Sequence, residues 1–294
     1  MACPGSDSGN IPPHEEDAVP TLAVSTYTFG PEAQATEGLE FALKHGFGGL
    51  ELGSYTLWPE TISTNERGHV RSLAGDHGVE LSIHFIHRGV APASHQPERR
   101  SQHRIELEQT LDLANDIGAR VVVVHPGPID CPGVAPTRAP EAVRQEAREN
   151  LRNFLAEIAP KAEATGVVVC VENLHHAPGQ VIQSYAELLE LVQQVSSPAV
   201  QITLDTGHAD LSDGITDAID TFALYLRHVH IHDCDGKRDH LEIGEGELDF
   251  TRWLDWLRHY PLTLVLETRN DADPQGSVLR SRDRLREIIG PLAR

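Results

Sequence analysis

Residues 167–172 have the sequence VVVCVE, a short apolar run that ends on a carboxylate, Glu172. Three later runs share this form: VQITLD (200–205) ends on Asp205, HVHIHD (228–233) carries His230, and LTLVLE (262–267) ends on Glu267. Runs rich in Val, Ile and Leu are typical of strands buried on both faces, as in parallel sheets. In a closed parallel barrel, the carboxyl ends of the strands open on one rim, where active sites form. We therefore expect three carboxylates and an imidazole to converge on one point.

The rest of the chain repeats the alternation of apolar runs and helical patterns. The other strand candidates are TLAVSTY (21–27), FGGLEL (47–52), VELSIHF (79–85) and ARVVVVH (119–125). Eight strand–helix units in strict alternation predict an α/β protein, a single-domain (β/α)8 TIM barrel over residues 21–294. A doubly wound open sheet is the alternative, although no GxGxxG turn opens its first unit. Residues 1–20 are rich in Pro, Gly, Ser and acidic residues, so we expect a disordered tail there.

Composition narrows the range of partners. The 24 Lys and Arg residues face 44 Asp and Glu residues, a formal net charge of −20 that disfavours nucleic acid and anionic membranes. The four cysteines are far apart and form no CxxC pair, as expected for free thiols in a reducing compartment. The N-terminal stretch has no signal-peptide pattern, and no run of ~18 apolar residues occurs. We therefore expect a cytoplasmic protein, and base rates favour a homodimer.

The four convergent residues predict a metal site. Three hard carboxylate oxygens and one imidazole, from Glu172, Asp205, His230 and Glu267, suit one divalent ion such as Mn²⁺, Co²⁺, Mg²⁺ or Zn²⁺. That much negative charge at a barrel mouth is costly unless a cation neutralises it. For any one of these acids alone, capping of the next helix is an equally good interpretation. Four such residues on consecutive strands favour the metal.

Further polar residues fall on the same predicted rim. His84, His125 and His208 follow strand ends and are candidates for substrate contact or proton transfer. The loop after the seventh strand carries Arg238 and His240, which would suit an anionic or polyhydroxylated substrate. Glu51 is a further rim carboxylate with a supporting or substrate-binding role. Tyr55 and Trp58 form a possible apolar wall, although loop aromatics more often simply pack.

With these residues in view, the chain resembles the xylose isomerase-like TIM barrel superfamily, and within it the sugar phosphate isomerase/epimerase group. The matching motifs cover nearly all of the chain after the tail: GFGGLEL with Glu51, VVVVHPG with His125, VENLHHAPG with Glu172, LDTGHA with Asp205 and His208, HVHIHD with His230, GEGELDF, and LVLET with Glu267. The resemblance implies one divalent metal held by Glu172, Asp205, His230 and Glu267. It also implies that Glu172 and Glu267 face opposite sides of the substrate as the acid/base pair.

The implied chemistry is proton transfer beside a carbonyl. A metal on the carbonyl and adjacent hydroxyl oxygens stabilises the enediolate formed when the carbon proton leaves, and a nearby carboxylate takes that proton. Its return to the other face of the same carbon gives an epimer of a small sugar, sugar phosphate or polyol ketone. Its return to the neighbouring carbon gives an aldose–ketose isomer. Loss of a β-hydroxyl instead gives a dehydratase of a cyclic keto compound, such as an inosose or dehydroshikimate. The residues identify this shared chemistry better than the product.

Two alternatives come from other functional classes. The superfamily also contains zinc-dependent apurinic-site endonucleases with three zinc ions, and the eight residues His84, His125, Glu172, Asp205, His208, His230, His240 and Glu267 fall at plausible positions for that set. The chain departs from it at Arg238, where those enzymes carry an Asp, and its net charge opposes DNA binding. An inactive barrel that serves as a binding protein is the other alternative. Such a protein has no need of a Glu on each side of a metal.

Overall fold

The computed structural model describes residues 19–290, which form one closed barrel of eight parallel strands. The strands are β1 (Thr21–Ser25), β2 (Gly49–Leu52), β3 (Glu80–His84), β4 (Val121–Val124), β5 (Val168–Glu172), β6 (Val200–Asp205), β7 (Leu226–Ile231) and β8 (Thr263–Leu266). They lie in sequence order around the ring. The ring closes where β1 pairs with β8, with Thr21 opposite Thr263. The predicted (β/α)8 barrel is confirmed, and the doubly wound sheet is excluded because an open sheet has no such closing pair.

Helices connect the strands on the outside of the barrel. They are α1 (Ala35–His45), α2 (Trp58–Thr61), α3 (Thr64–His77), α4 (Pro97–Ile117), α5 (Glu141–Thr165), α6 (Tyr185–Val195), α7 (Thr206–Asp210), α8 (Ile215–Phe222), α9 (Leu254–His259) and α10 (Pro274–Ile289). The pattern over residues 250–260 predicts one helix, but the chain forms a 3₁₀ turn, Phe250–Trp253, before α9. Asp249 caps that turn by accepting a hydrogen bond from the backbone N–H of Thr251 (3.1 Å), which tightens the first turn of the segment.

The two-residue period of the strands separates the barrel interior from the outer core. On β4, Val122 and Val124 belong to the main apolar core between sheet and helices. Val121 and Val123 instead pack with Cys170 of β5 in a second, small apolar cluster. Successive strand residues point to opposite faces, so this second cluster lies inside the barrel. Buried polar residues occupy the interior positions nearer the carboxyl ends of the strands, and these form the site described below.

Three other predictions concern the chain as a whole. Except for its last two residues, the predicted tail over residues 1–20 lies outside the described residues, as do the final four residues of the predicted barrel domain. Cys131, Cys170 and Cys234 are free thiols. None of the helices within residues 19–290 is long and apolar enough to cross a membrane.

Candidate metal centre

The four predicted metal ligands lie at one end of the barrel and are withdrawn from solvent. Glu172 and Asp205 are the last residues of β5 and β6, His230 is the penultimate residue of β7, and Glu267 follows β8 directly. Their exposed fractions are 1%, 0%, 0% and 3%, respectively. Parallel strands that close into a barrel end on the same rim, so residues separated by almost a hundred positions in the sequence become neighbours.

The imidazole of His230 is the centre of this group. Its Nδ1 lies 3.4 Å from Glu267 Oε2, 3.6 Å from Glu172 Oε2 and 3.9 Å from Asp205 Oδ2. The same Nδ1 is buried and has no hydrogen-bond partner among the described residues. A buried nitrogen without a partner, surrounded by three carboxylate oxygens, is a donor set that suits a divalent cation. The four predicted residues therefore fit a metal ion.

Glu51 supports His230 from the other side of the ring. Its Oε1 lies 3.3 Å from His230 Nε2, and its Oε2 is bonded to His228 Nε2 (2.9 Å) and to the Ser82 hydroxyl (3.0 Å). Glu51 has no exposed surface. The structure places it beneath His230, where a carboxylate orients a ligating imidazole, and not at the open side of the centre.

The carboxylate of Glu172 is the meeting point of three further histidines. Its Oε2 lies 3.1 Å from His84 Nε2 and 3.0 Å from His125 Nε2, and its Oε1 lies 3.1 Å from His208 Nδ1. All three were candidates from their places at strand ends, and the structure brings them together. His125 retains more exposed side-chain surface (20%) than His84 (3%).

Asp205 is held by His232, a residue that sequence reasoning left without a role. The backbone N–H of His240 donates to His232 Nδ1 (2.8 Å). In the neutral ring Nε2 therefore carries the proton and donates it to Asp205 Oδ2 (2.9 Å). The other oxygen, Oδ1, accepts from the backbone N–H of His208 (2.7 Å), which caps α7. The two-residue period of HVHIHD was the signal, because it puts residue 232 on the same face as residue 230.

Glu267 faces both the cluster and an aromatic wall. The Ser25 hydroxyl donates to its Oε1 (3.2 Å), and His240 Nε2 lies 3.5 Å from its Oε2. Tyr27 packs beside His240, with ring centroids 5.2 Å apart, and stacks on Tyr55 at 4.8 Å with nearly parallel planes. Tyr55, one of the two predicted wall residues, thus forms the wall with Tyr27, whereas Trp58, the other predicted residue, is buried and donates its indole N–H to Gly53 O (2.8 Å).

The loop after β7 contributes Asp239 and His240 to the cluster and leaves Arg238 outside it. Asp239 Oδ2 lies 3.6 Å from His208 Nε2, and its Oδ1 lies 3.1 Å from His240 Nδ1. The Arg238 side chain is 73% exposed and pairs with Asp235 (2.7 Å). The structure therefore does not bring Arg238 into the cluster. Sequence reasoning missed Asp239 because it weighed the position of Arg238, one residue earlier.

Mutual charge keeps these buried groups ionised. Burial alone would raise the pKa of Glu172, but its interactions with His125 and His230 outweigh burial and hold the pKa well below its ordinary value. The pKa values of Asp205 and Glu267 are lowered in the same way by neighbouring histidines. Conversely, burial opposes the charge on His230, but Glu267, Glu51 and Glu172 raise its pKa well above the ordinary value. Reciprocal shifts around one point make this cluster a candidate for a functional site.

Comparison with known proteins identifies the family to which this chain belongs. The model of the family described as xylose isomerase-like TIM barrel matches residues 39–288, which include all ten predicted site residues. The chain belongs to this family. An uncharacterized protein of Methanocaldococcus jannaschii is 29% identical over 281 residues, covering 91% of this chain and 89% of that protein.

Sugar 3-epimerases are among the family members most similar to the chain. The D-psicose 3-epimerase of Ruminiclostridium cellulolyticum is 36% identical over 100 residues, which is 32% of this chain and 34% of that enzyme. A D-tagatose 3-epimerase-like protein of known structure superposes with a TM-score of 0.75 at 27% identity, covering 92% of this chain and 98% of that protein. These similarities support an isomerase or epimerase, and they agree with the resemblance seen in the motifs.

Proposed function

We propose that this protein is a divalent-metal-dependent epimerase or isomerase of a small sugar, sugar phosphate or polyol ketone. The observation that carries the proposal is the unpartnered His230 Nδ1, which faces carboxylate oxygens of Glu172, Asp205 and Glu267 at 3.4–3.9 Å. These four side chains would hold one ion such as Mn²⁺, Co²⁺, Mg²⁺ or Zn²⁺. A bound divalent ion would polarise a carbonyl and its adjacent hydroxyl, and would thereby acidify the proton on the carbon that bears the hydroxyl.

Glu172 and Glu267 move that proton. They come from β5 and β8, with β6 and β7 between them around the ring, so they approach a substrate above His230 from different sides. Both carboxyl groups have lowered pKa values, which favours their ionised form in the free protein. One carboxylate takes the proton from carbon and leaves an enediolate, and the other, which enters the step protonated, gives its proton to the opposite face and so inverts that carbon. The first Glu then holds the proton and the second is ionised, and proton exchange with water restores the pair.

The remaining candidates divide into substrate contacts and supports. His84, His125 and His208 contact Glu172 directly, and His240 lies beside Glu267, so each can also meet a substrate hydroxyl held between the two carboxylates. Glu51 orients His230. We retain Arg238 as a substrate contact only if substrate binding draws its side chain away from Asp235. The cytoplasmic location, the homodimer and the absence of a nucleic-acid partner remain predictions.

Solvent exchange tests this proposal. Manganese-loaded protein is incubated in D₂O with a panel of ketopentoses and ketohexoses, free and phosphorylated. We expect deuterium at the carbon next to the carbonyl of one substrate, together with its epimer or isomer. Replacement of either acid, Glu172→Gln or Glu267→Gln, should slow the exchange by about 10²–10⁴-fold. Glu245→Gln, which changes an exposed rim carboxylate, should not.

The product distinguishes epimerisation and isomerisation from dehydration, because a dehydratase would yield a product that has lost water. Metal-loaded protein that exchanges no deuterium into any member of the panel would contradict the proposal.

A second candidate is hydrolysis of a phosphodiester at a centre with several metal ions. The specific observation is a further metal-competent group, His208, Asp239 and His240, beside the first. Asp239 supplies the carboxylate whose absence at position 238 argued against such a centre. The net charge of −20 still opposes a DNA substrate. Metal analysis decides between the candidates: we expect one ion per chain, whereas three zinc ions with cleavage of abasic-site duplex would establish the second.

A further inference from the structure

A cavity opens at the mouth of the barrel opposite the candidate metal centre, where the strands begin. Its volume is about 390 Å³. The residues that line it come from the first residues of β3, β4, β7 and β8 and from the loops before these strands, and they include Glu80, Arg120, Arg227, His228 and Thr263. In barrels of this kind the catalytic residues lie at the other rim. The cavity is therefore separate from the metal centre.

Two arginines give this cavity its charge. No ion pair or hydrogen bond joins Arg120 or Arg227 to any acid within residues 19–290, although the chain as a whole carries a net charge of −20. Among the described lining residues, Glu80 has the only carboxylate. Its two oxygens already accept hydrogen bonds from the hydroxyls of Thr21 (3.3 Å) and Thr263 (2.7 Å). Two unpaired guanidinium groups around one concavity can bind an oxyanion.

A buried histidine in the cavity lacks a hydrogen-bond donor, which a hydroxyl group of a ligand could provide. His228 lines the cavity and is 1% exposed. Its Nε2 is bonded to Glu51 Oε2 (2.9 Å). Because a carboxylate only accepts, the neutral ring carries its proton on Nε2 and presents a lone pair at Nδ1. That Nδ1 is buried and has no partner within the described part of the chain. Buried polar atoms are normally bonded, so a ligand hydroxyl would complete this one.

We propose that the amino-terminal mouth of the barrel is a binding site for a small hydroxylated oxyanion, of which a phosphate or a phosphomonoester is the simplest form. Arg120 and Arg227 bind the anionic oxygens, and His228 Nδ1 accepts a hydrogen bond from the hydroxyl. Inorganic phosphate meets both requirements at neutral pH, because it carries negative charge and a P–OH group. Sulfate has the same shape and a similar charge, but it has no hydroxyl at this pH.

Calorimetric titration of the metal-loaded protein with inorganic phosphate, at fixed ionic strength, tests this site. We expect saturable binding of phosphate. Arg120→Met and Arg227→Met should each weaken it by about tenfold or more, because each removes a charge-assisted hydrogen bond. Glu80→Gln should tighten binding, because it removes the negative charge from the lining. Arg138→Met is the matched control, since Arg138 is exposed and lies outside the cavity. Sulfate should bind more weakly than phosphate to the wild-type protein.

The outcomes separate this site from the metal centre. If phosphate binding disappeared on chelation of the metal and neither arginine replacement changed its affinity, the phosphate would bind at the other rim. That result would overturn the proposal. Sulfate binding as tight as that of phosphate would overturn the role of His228. The inference does not depend on the epimerase proposal, because phosphate binding is measured without any turnover.

Discussion

Glu51 Oε1 lies 3.3 Å from His230 Nε2, on the side of the imidazole opposite the nitrogen that faces Glu172, Asp205 and Glu267. The carboxylate thus lies behind the imidazole, on the side away from Nδ1. Because Glu51 also binds His228 of β7 and Ser82 of β3, its own position is set by both of these strands. Any metal ion held by His230 would therefore be supported from within the barrel by Glu51, which has no exposed surface.

The first prediction concerns this support. Glu51→Gln keeps the size of the side chain but loses the charge behind His230, so the imidazole becomes a weaker and less well-oriented ligand. We expect the dissociation constant for Mn²⁺ to rise by about 10–100-fold, measured by calorimetry on protein first freed of metal. Glu245→Gln, at an exposed position on the rim, is the control and should bind Mn²⁺ as the wild type does. Unchanged affinity in Glu51→Gln would mean that His230 needs no carboxylate behind it.

The second prediction concerns Gly207, over which the His232 ring lies. A Cβ at this position would be 2.2 Å from His232 Cε1 and 3.0 Å from Asp239 Cβ. Gly207→Ala must therefore displace His232 and break its bond to Asp205. We expect weaker Mn²⁺ binding and a loss of about 1–3 kcal/mol in the free energy of unfolding, measured by urea denaturation.

Gly68→Ala is the matched control for that variant. Gly68 lies within α3 and has no atom within 4 Å of its ideal Cβ position. Its replacement by alanine should raise the free energy of unfolding by about 0.5–1 kcal/mol and leave metal binding unchanged. If Gly207→Ala behaved like this control, the contact between Gly207 and His232 would have no role in the centre.

The third prediction concerns the aromatic wall next to Glu267. Tyr27 stacks on Tyr55 and packs against His240, so its ring can cover one face of a bound sugar. Tyr27→Leu removes the flat surface, and we expect KM to rise by about two- to tenfold with kcat little changed. Tyr27→Phe keeps the ring and should retain the wild-type KM. Equal effects of the two replacements would assign the role to the hydroxyl group instead.

Strand ends in this chain were predictable because they obey two simple rules. Buried parallel strands are apolar throughout, and their last residues share a rim, which was enough to bring Glu172, Asp205, His230 and Glu267 together. The positions of Arg238 and Asp239 were not predictable in this way. They lie in a loop whose shape depends on Asp233, which accepts backbone N–H groups of Cys234, Gly244 and Leu248, and no periodicity describes such a loop.

The depth of Glu51 inside the barrel is a second feature that could not be predicted from the sequence. The sequence places it at the end of an apolar run, and nothing local distinguishes an acid at the open rim from one beneath the ligands. That difference arises from the pairing of neighbouring strands. In the barrel, Glu51 of β2 is opposite Ser82 of β3, one layer below His84 at the end of that strand. Layer depth is a property of strand stagger and becomes visible only in three dimensions.

The last prediction concerns the pH dependence of the metal-free protein. Burial opposes the charge on His208, yet Asp205 and Glu172 raise its pKa to about 9. Burial is likewise outweighed at His240, where hydrogen bonds to Asp239 and Glu267 raise the pKa to about 10. Both values lie above the ~6.5 of an unfolded histidine. Each raised pKa stabilises the folded state fully below about pH 6.5, and that contribution is lost as the pH rises through about 9 and 10. The free energy of unfolding of metal-free protein should therefore fall between pH 6.5 and 10, as measured by urea denaturation.

A bound cation would supply the positive charge that these protons supply in its absence. The free energy of unfolding of the Mn²⁺-loaded protein should therefore change less with pH. Mn²⁺ binding should also release protons and become tighter as the pH rises. Parallel profiles for the two forms would mean that the cation and the histidine protons do not compete for the same carboxylates.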